Sequence, residues 1–190
     1  MTTHPQLPGI EIGDDWKILE VGSGPNKQFP RSTTIDIYAG CDPDVVHDLN
    51  ITPYPFADDS FDLIVCLHVL EHVDRLVDAT TELWRVLRPG GLLFVEVPYF
   101  TSVHHYTDPT HVHAFTTRSF DYYVEGTPVS KFGYSHARFV KERIELVVPG
   151  NGPINRWIRK WINTHHHTYE ERLAFIFPRH VIQYTLRAVK

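Results

Sequence analysis

Short apolar runs alternate with polar turns along the first half of the chain, a pattern typical of a buried parallel sheet. These runs are rich in β-branched and other apolar residues, which favour strands. The predicted strands are Lys17–Val21, Thr33–Ile37, Asp44–His47, Phe61–Leu67 and Leu92–Val97. Phe61–Leu67 is apolar almost throughout, which favours a central strand covered on both faces.

A helical period replaces the strand pattern between the last two of these runs. Within Asp74–Leu87, the residues Leu76, Leu83 and Leu87 are spaced so that they share one face of a helix. Pro89 and the two glycines after it end the pattern. A strand, a helix and a strand in this order predict a right-handed parallel crossover.

The second half begins with a long irregular segment, Tyr99–Gly133, rich in histidine, tyrosine, threonine and proline. A long segment of this kind after a core strand is usually functional or mobile, so we expect it to form the substrate side of a site. The elements predicted after it are a strand at Arg143–Val148, helices at Ile154–Ile162 and Tyr169–Phe177, and a closing strand at His180–Val189. The pattern therefore predicts a single α/β domain, residues 1–190, with seven strands.

Composition and charge limit the partners and the cellular compartment that we expect for the protein. The chain has 190 residues and a formal net charge of −5, which disfavours a nucleic-acid partner because phosphate contacts need a basic surface. The first nine residues lack the apolar stretch of a signal peptide, and no run approaches the length of a membrane span. We therefore expect a cytoplasmic protein.

Two glycines directly follow the first strand. Gly22 and Gly24 lack a Cβ atom, so the backbone can approach a ligand at the carboxyl end of the sheet. Asp36 lies near the end of the second strand, and a carboxylate there can accept hydrogen bonds from both hydroxyls of a ribose. Asp48 and Leu49 follow the third strand, within reach of an adenine edge. A tight turn, a surface aspartate and a helix cap are the alternative interpretations.

The glycine turn departs from the pattern of a dinucleotide site. Lys27 stands where the third glycine of G-x-G-x-x-G would be, and only the segment 25–32 separates Gly24 from the second strand. That segment contains two prolines and has space for one helical turn at most, whereas a pyrophosphate normally binds at a helix N-terminus. The ligand therefore need not carry a pyrophosphate.

Four sequence blocks follow one another between residues 18 and 91. They are Ile18–Gly24 (ILEVGSG), Asp36, Leu49–His72 with PFADDSFD and HVLEH, and Leu83–Gly91 (LWRVLRPGG). Together they resemble the class I S-adenosylmethionine-dependent methyltransferases, in particular the type 11 subgroup. The resemblance implies S-adenosyl-L-methionine as the cofactor and a Rossmann-like, seven-stranded, mostly parallel sheet with flanking helices and an antiparallel last strand.

The resemblance also implies which residues contact the cofactor. Gly22 and Gly24 approach the methionine part, Asp36 holds the ribose, and Asp48 and Leu49 flank the adenine. The full expected set is Glu20, Gly22, Ser23, Gly24, Asp36, Ile37, Asp48, Leu49 and His68. The family pattern usually has a longer first helix after the glycines than this chain allows.

Glu71 and His72 invite a catalytic interpretation. The pair begins the loop into a predicted helix, where carboxylates and imidazoles often act as caps or hold loops. We expect a structural role for Glu71, and the role of His72 stays open.

The irregular segment carries His104, His105, His111 and His113 within ten positions, and it should hang over the same crevice. Three interpretations stay open: a general base or substrate contact, a divalent-metal site, and histidines that satisfy buried backbone groups. His111 and His113 face the same way if the chain is extended there. We predict His111, His113 and His104 as catalytic residues, ahead of His105, and we assign no metal ligands.

Two features of the tail lie outside this predicted site. The apolar stripe of the helix Ile154–Ile162 contains Trp157 and Trp161 and is expected to pack on the core. Its alternatives are a surface for a second protomer and a helix on a membrane interface, and of these a homodimer is the more modest expectation. The run His165–His167 is expected to form a solvated connection between two helices.

These observations predict an enzyme that transfers a methyl group from S-adenosylmethionine to an oxygen or nitrogen atom of a small molecule. A non-catalytic, S-adenosylmethionine-binding regulatory protein would keep the same glycines and Asp36. A nicotinamide-dependent oxidoreductase is disfavoured because neither Tyr38 nor Tyr134 begins a Tyr-x-x-x-Lys pair. Tyr38 and Tyr134 are followed four positions later by Asp42 and Arg138.

Overall fold

The computed structural model describes residues 2–4 and 7–190, and its centre is a seven-stranded sheet. The strands are β1 (Ile18–Val21), β2 (Thr33–Asp36), β3 (Val45–Val46), β4 (Phe61–Leu67), β5 (Leu87–Pro98), β6 (Arg138–Leu146) and β7 (Val181–Val189). They lie in the order β3-β2-β1-β4-β5-β7-β6. The first five pair in parallel, and β7 runs antiparallel to both of its neighbours. The predicted Rossmann-like sheet with an antiparallel last strand is confirmed.

Two strands begin five residues earlier than the apolar pattern predicts, and the other strand boundaries agree with it to within two residues. β5 begins at Leu87 because this residue pairs with Phe61 before the ladder shifts register and resumes at Leu92. β6 begins at Arg138, which pairs with Val189 at the far end of β7. In both cases a partner strand recruits residues whose own sequence shows no strand period, so the pairing overrides the local preference.

The helices are α1 (Leu76–Val86), α2 (Val103–Thr107), α3 (Pro153–Thr164) and α4 (His166–Arg172). The segment predicted to be irregular, Tyr99–Gly133, contains α2 and two short 3-10 turns, Asp121–Tyr123 and Ser130–Phe132. The prediction of a solvated connection at His165–His167 is wrong, because α3 ends at Thr164 and α4 begins at His166. The last helix, predicted at Tyr169–Phe177, therefore begins earlier, at His166, and it also ends earlier, at Arg172.

The two faces of the sheet are covered in different ways. On one face, Leu83 and Val86 of α1 pack in a large buried cluster that includes Ile64 and Leu93 of the sheet. On the other face, a second buried cluster contains residues of the sheet, of the segment before β1 and of the loop after β1. Its fully or nearly buried members are Leu7, Ile10, Ile18, Phe29, Leu63, Val65, Leu92 and Phe94. This face is therefore covered by a segment without a helix, in which Thr2–Thr3 and Glu11–Ile12 pair as a small antiparallel sheet.

The apolar stripe of α3 is only partly buried. Ile162 is buried and Trp161 packs against the core, whereas Ile154 and Trp157 are exposed. Packing on the core, the first of the three interpretations of this stripe, therefore holds for one end of the helix. Within residues 2–4 and 7–190, none of the helices combines the length and apolar character that crossing a bilayer requires. Residues 1, 5 and 6, which belong to the stretch where we expect no signal peptide, lie outside the described part of the chain.

Candidate functional site

The glycine turn lies at the carboxyl end of β1, at the middle of the sheet. Gly22 and Gly24 have φ values of +64° and +56°, in the left-handed region that glycine adopts without strain. A Cβ atom added at Gly22 would lie 2.5 Å from Cγ2 of Val69, whereas one added at Gly24 would meet nothing within 4 Å. Gly22 is therefore required by the packing of the turn, and Gly24 borders open space where a ligand can approach the backbone.

Asp36 joins the glycine turn to the end of β2. Its Oδ2 accepts a hydrogen bond from the Gly24 amide at 2.9 Å, and its Oδ1 accepts one from the Tyr38 amide at 2.9 Å. Each carboxylate oxygen can accept at least one further hydrogen bond, so both stay available to the hydroxyls of a ligand. The side chains of Ile37 and Tyr38 beside it are exposed. This hydrogen bond brings Gly24 and Asp36 together at one edge of the sheet, and their predicted contacts with the cofactor stay predictions.

Glu20 lies beneath the turn and holds the short loop that follows it. Its buried carboxylate accepts hydrogen bonds from the amides of Gln28 at 2.8 Å and Phe29 at 2.9 Å, and from the hydroxyl of Ser32. Three donors on one loop anchor segment 25–32 without a helix. The predicted contact of Glu20 with the cofactor stays a prediction, and what the structure shows is a role in positioning the glycine turn.

Asp48 and Leu49 lie close to Asp36 because the His47 amide donates a hydrogen bond to the Asp36 carbonyl at 2.9 Å. The Asp48 side chain accepts bonds from the amide and the side-chain nitrogen of Asn50, so it closes a turn of its own. Leu49 is nearly buried. Their position is compatible with the edge of a nucleobase, and the predicted adenine contact stays a prediction.

We expect Gly22→Ala to lower the free energy of unfolding by about 2–4 kcal/mol, from left-handed backbone strain and from overlap with Val69. Gly24→Ala is the matched control, because it carries similar backbone strain and meets open space. Its expected cost is about 1–2 kcal/mol. Urea unfolding of the three proteins measures both values, and equal costs for the two variants would contradict the assigned overlap with Val69.

His68 lies at the carboxyl end of β4 with a φ of +52°, a conformation uncommon outside glycine. Its Nδ1 is 3.5 Å from Oε1 of Glu71, and its Nε2 is 3.1 Å from Oε1 of Glu96. The contacts with Glu71 and Glu96 raise the pKa of His68 to about 9. The imidazole is therefore a cation at neutral pH, placed between two carboxylates beside the predicted cofactor position.

A cleft of about 680 Å³ opens next to His68, between the end of the sheet and helix α2. The titratable side chains that line it are His68, Glu71, His72, His104, Asp108, His111 and His180. Two of the three predicted catalytic histidines, His111 and His104, therefore face the cleft. The irregular segment forms one wall of it, as expected of a substrate side.

His113 does not line the cleft with His111. The two rings approach different residues of the same turn, Glu71 for His111 and Val73 for His113. His113 Nε2, however, lies 2.9 Å from the carbonyl of Val73, so this ring is used to hold the backbone. His104 is exposed on α2, with its ring 5.5 Å from the ring of His180. The carbonyl of His105 contacts His111 Nδ1 at 3.1 Å.

The sequence interpretation missed the side chain of Glu71. Its backbone carbonyl accepts hydrogen bonds from the amides of Val112 at 2.8 Å and His113 at 3.3 Å, which agrees with the expected structural role. Its carboxylate is completely buried, and neither oxygen accepts a hydrogen bond from any residue that the structure describes. The sequence feature that could have indicated a role for this side chain is the neighbouring His72. A glutamate and a histidine side by side in a turn are two potential ligands of one metal ion.

Comparison with protein families gives a match over residues 19–95, to the model described as "Methyltransferase domain" of type 11. The ubiquinone/menaquinone biosynthesis C-methyltransferase UbiE of Dinoroseobacter shibae is 51% identical over 41 residues, which cover 22% of this chain and 16% of that protein. The matches to curated relatives span about a fifth of their length or less.

Comparison with solved structures extends over nearly the whole chain. A SAM-dependent methyltransferase from Archaeoglobus fulgidus superposes with a TM-score of 0.56 at 16% identity, covering 90% of this chain and 86% of that one. Geranyl diphosphate C-methyltransferase from Streptomyces coelicolor, solved with Mg²⁺, geranyl diphosphate and S-adenosyl-L-homocysteine, gives a TM-score of 0.60 at 15% identity, covering 93% and 75%. These likenesses show that the fold is shared.

Proposed function

We propose that this chain is a class I S-adenosylmethionine-dependent methyltransferase of type 11 that transfers a methyl group to an oxygen or nitrogen atom of a small molecule. The observation that carries the proposal is the hydrogen bond from the Gly24 amide to Oδ2 of Asp36, 2.9 Å long, at the carboxyl edge of the sheet. Open space lies beside Gly24 at this point. It provides bare backbone and a carboxylate acceptor at the point where parallel sheets bind their ligands.

The residues around this point fit an adenosyl ligand. The space beside Gly24 admits a ligand that a Cβ atom would obstruct. Asp36 keeps acceptor capacity for two ribose hydroxyls although it already accepts two amide hydrogen bonds. When it is bound, S-adenosylmethionine supplies an electrophilic methyl group on a sulfonium centre. The protein then has to align an acceptor with that group and remove the acceptor's proton.

The adjacent cleft provides groups for the acceptor side. His111 Nδ1 donates to the carbonyl of His105, so Nε2 carries a lone pair and can accept a proton. His104 lines the same cleft and is exposed. Most of the titratable side chains there are histidines and carboxylates, which suit a polar acceptor better than a long hydrocarbon. This polarity supports the choice of an oxygen or nitrogen acceptor.

A carbon acceptor is the competing possibility, because the matched UbiE protein and the geranyl diphosphate enzyme are named as C-methyltransferases. A second alternative is a regulatory protein that binds S-adenosylmethionine without chemistry. Reaction with methyl-labelled S-adenosylmethionine and a panel of phenols, sugars, amines and activated carbon acids distinguishes the three. Label in an ether, ester or amine supports the proposal, and label attached only to carbon contradicts its acceptor atom. A protein that binds the cofactor yet never transfers the label favours the regulatory alternative.

The cofactor itself is tested first, by calorimetry of the purified chain with S-adenosyl-L-homocysteine and with NAD. We expect a single site for the first compound and no saturable binding of the second, because segment 25–32 offers no helix N-terminus for a pyrophosphate. Absence of S-adenosyl-L-homocysteine binding at about 1 mM, the weak end of ordinary enzyme affinities, would overturn the proposal.

A further inference from the structure

We propose that Glu71, His72 and His111 form a binding site for a first-row divalent transition-metal ion on the acceptor side of the cleft. Each residue offers one ligand atom, and the three atoms lie within 4.8 Å of one another. Two imidazoles and one carboxylate are the ligand set of many three-residue metal sites that keep open positions. The proposal of an ion site depends on these three residues alone. The further proposal that the ion holds an acceptor oxygen rests on the proposed function.

The measured separation already approaches that of a loaded site. Nε2 of His111 is 3.9 Å from Oε1 of Glu71. Ligand atoms about 2.0–2.2 Å from a common ion lie roughly 3–4 Å apart when they are neighbours around it. A movement of about 1 Å in His72 or His111 would bring all three ligand atoms to this spacing.

The hydrogen bonds of His111 leave the ring in the form that binds a metal. Its Nδ1 lies 3.1 Å from the carbonyl oxygen of His105, which can only accept. The proton of the neutral ring is therefore on Nδ1, and Nε2 directs a lone pair toward Glu71. A metal-binding histidine is commonly oriented by such a bond from its second nitrogen.

His72 is oriented in the same way by a different partner. Its Nδ1 lies 2.8 Å from Oγ1 of Thr110, and that hydroxyl donates its single proton to Oδ1 of Asp108 at 2.7 Å. Thr110 must therefore accept from Nδ1 of His72, which leaves the lone pair on Nε2. Two independent contacts thus give both imidazoles the same protonation pattern.

Glu71 explains why a cation is needed at this point. Its carboxylate is completely buried and accepts no hydrogen bond from any described residue, although burying a carboxylate without donors is strongly unfavourable. Nδ1 of His68 lies 3.5 Å from Oε1 of Glu71, beyond the usual length of a hydrogen bond. The lone pairs of His72 and His111 add two more acceptors at the same place, and a bound cation satisfies all three.

A metal ion at this site would change how the acceptor is activated. Three protein ligands leave positions open toward the cleft, and a hydroxyl bound there becomes more acidic because the ion stabilises the oxyanion. His111 is then a ligand, and His104 and His180 remain as histidines of the cleft that can receive the proton. The site therefore implies an acceptor that binds through oxygen.

The test is calorimetric titration of the whole chain with Zn²⁺, Mn²⁺ or Mg²⁺ alone, without cofactor. We expect one Zn²⁺ per chain with a dissociation constant of about 10 µM or lower, weaker Mn²⁺ binding and little Mg²⁺ binding, because imidazole ligands favour the later transition metals. Glu71→Gln and His111→Asn should each weaken Zn²⁺ binding at least about 100-fold. Saturating Zn²⁺ at about 100 times its dissociation constant should raise the melting temperature by about 5–10 °C.

A control removes the histidine run at the helix junction. The variant with His165→Asn and His167→Asn lacks two exposed imidazoles that bind metals weakly by themselves, and it should retain the tight site. Loss of tight binding in this variant, or unchanged binding in Glu71→Gln, would assign the ion to the histidine run and overturn the proposal. Absence of any site tighter than about 1 mM for Zn²⁺ would overturn it as well.

Thr110 provides a positioning test that does not disturb a buried group. Thr110→Val should weaken Zn²⁺ binding about 10-fold by releasing Nδ1 of His72, and Thr110→Ser should restore it. A purely structural role would change the melting temperature of the free protein and leave metal affinity alone. Binding of S-adenosyl-L-homocysteine in the same proteins separates the two proposals, because either one can fail while the other stands.

Discussion

Replacing His111 with alanine is expected to lower the rate of methyl transfer at least about 100-fold while the affinity for S-adenosyl-L-homocysteine stays nearly unchanged. The His111 side chain is 8% exposed and lines the acceptor cleft, where its ring nitrogens face Glu71 and the carbonyl of His105. The expectation is the same whether His111 takes the acceptor proton or holds an ion, because both roles act on the acceptor. The rate constant at saturating substrate and the calorimetric affinity for the cofactor product measure the two effects separately.

The control for this prediction is His167→Ala, which removes an exposed imidazole on α4 that does not line the cleft. His111→Asn adds a variant of closer volume, for which we expect the same loss of rate. A His111→Ala protein with full activity would exclude both chemical roles for this residue. An equal loss of cofactor affinity would show instead that the substitution disturbs the sheet edge.

Asp36→Ala is expected to weaken the binding of S-adenosyl-L-homocysteine about 100-fold or more. Hydrogen bonds to a charged group contribute about 1.5–3 kcal/mol each, and two ribose hydroxyls depend on this carboxylate. The substitution also releases the amides of Gly24 and Tyr38, so the turn itself loses its anchor. Calorimetric titration gives the affinity directly.

Two further variants make the Asp36 result specific. Asp36→Asn keeps one acceptor oxygen and should weaken binding less, by about 10-fold, because one charge-assisted hydrogen bond is retained. Glu125→Ala removes a negative charge at an exposed position of the irregular segment and should leave the affinity unchanged. Equal affinities of Asp36→Ala and the unmodified protein for S-adenosyl-L-homocysteine would contradict the assignment of the ribose to Asp36.

The parts of the fold that were predictable are those whose signal is local. Phe61–Leu67 agrees residue for residue with the predicted strand, because a continuous apolar run can be buried on both faces only inside the sheet. Gly24 and Asp36 could be placed together from the sequence, because the carboxyl ends of parallel neighbours meet at one edge. Both inferences need only the pattern and the rules of parallel sheets.

The parts that were not predictable depend on contacts between distant residues. The burial of Glu71 results from the packing of the irregular segment, whose Val112 amide bonds the Glu71 carbonyl from 41 positions further along the chain. His113 was expected to share a site with His111, yet its ring bonds the Val73 carbonyl, a partner that spacing alone does not reveal. Leu7 and Ile10 precede the first sheet strand without any period, and only the sheet beneath explains their burial.

The covering of one sheet face by Leu7 and Ile10 has a consequence for how this molecule opens. A helix that detaches from a sheet carries its internal hydrogen bonds with it and can persist for a time as an ordered unit. The segment around these residues has only a two-stranded antiparallel sheet, in which Thr2–Thr3 pairs with Glu11–Ile12, and an isolated pair of strands is at best marginally stable in water. It is tied to β6 by a hydrogen bond from Arg143 to the Pro8 carbonyl at 2.8 Å. Its departure is therefore also its unfolding, so hydration of that face of the sheet and melting of the segment form one cooperative event.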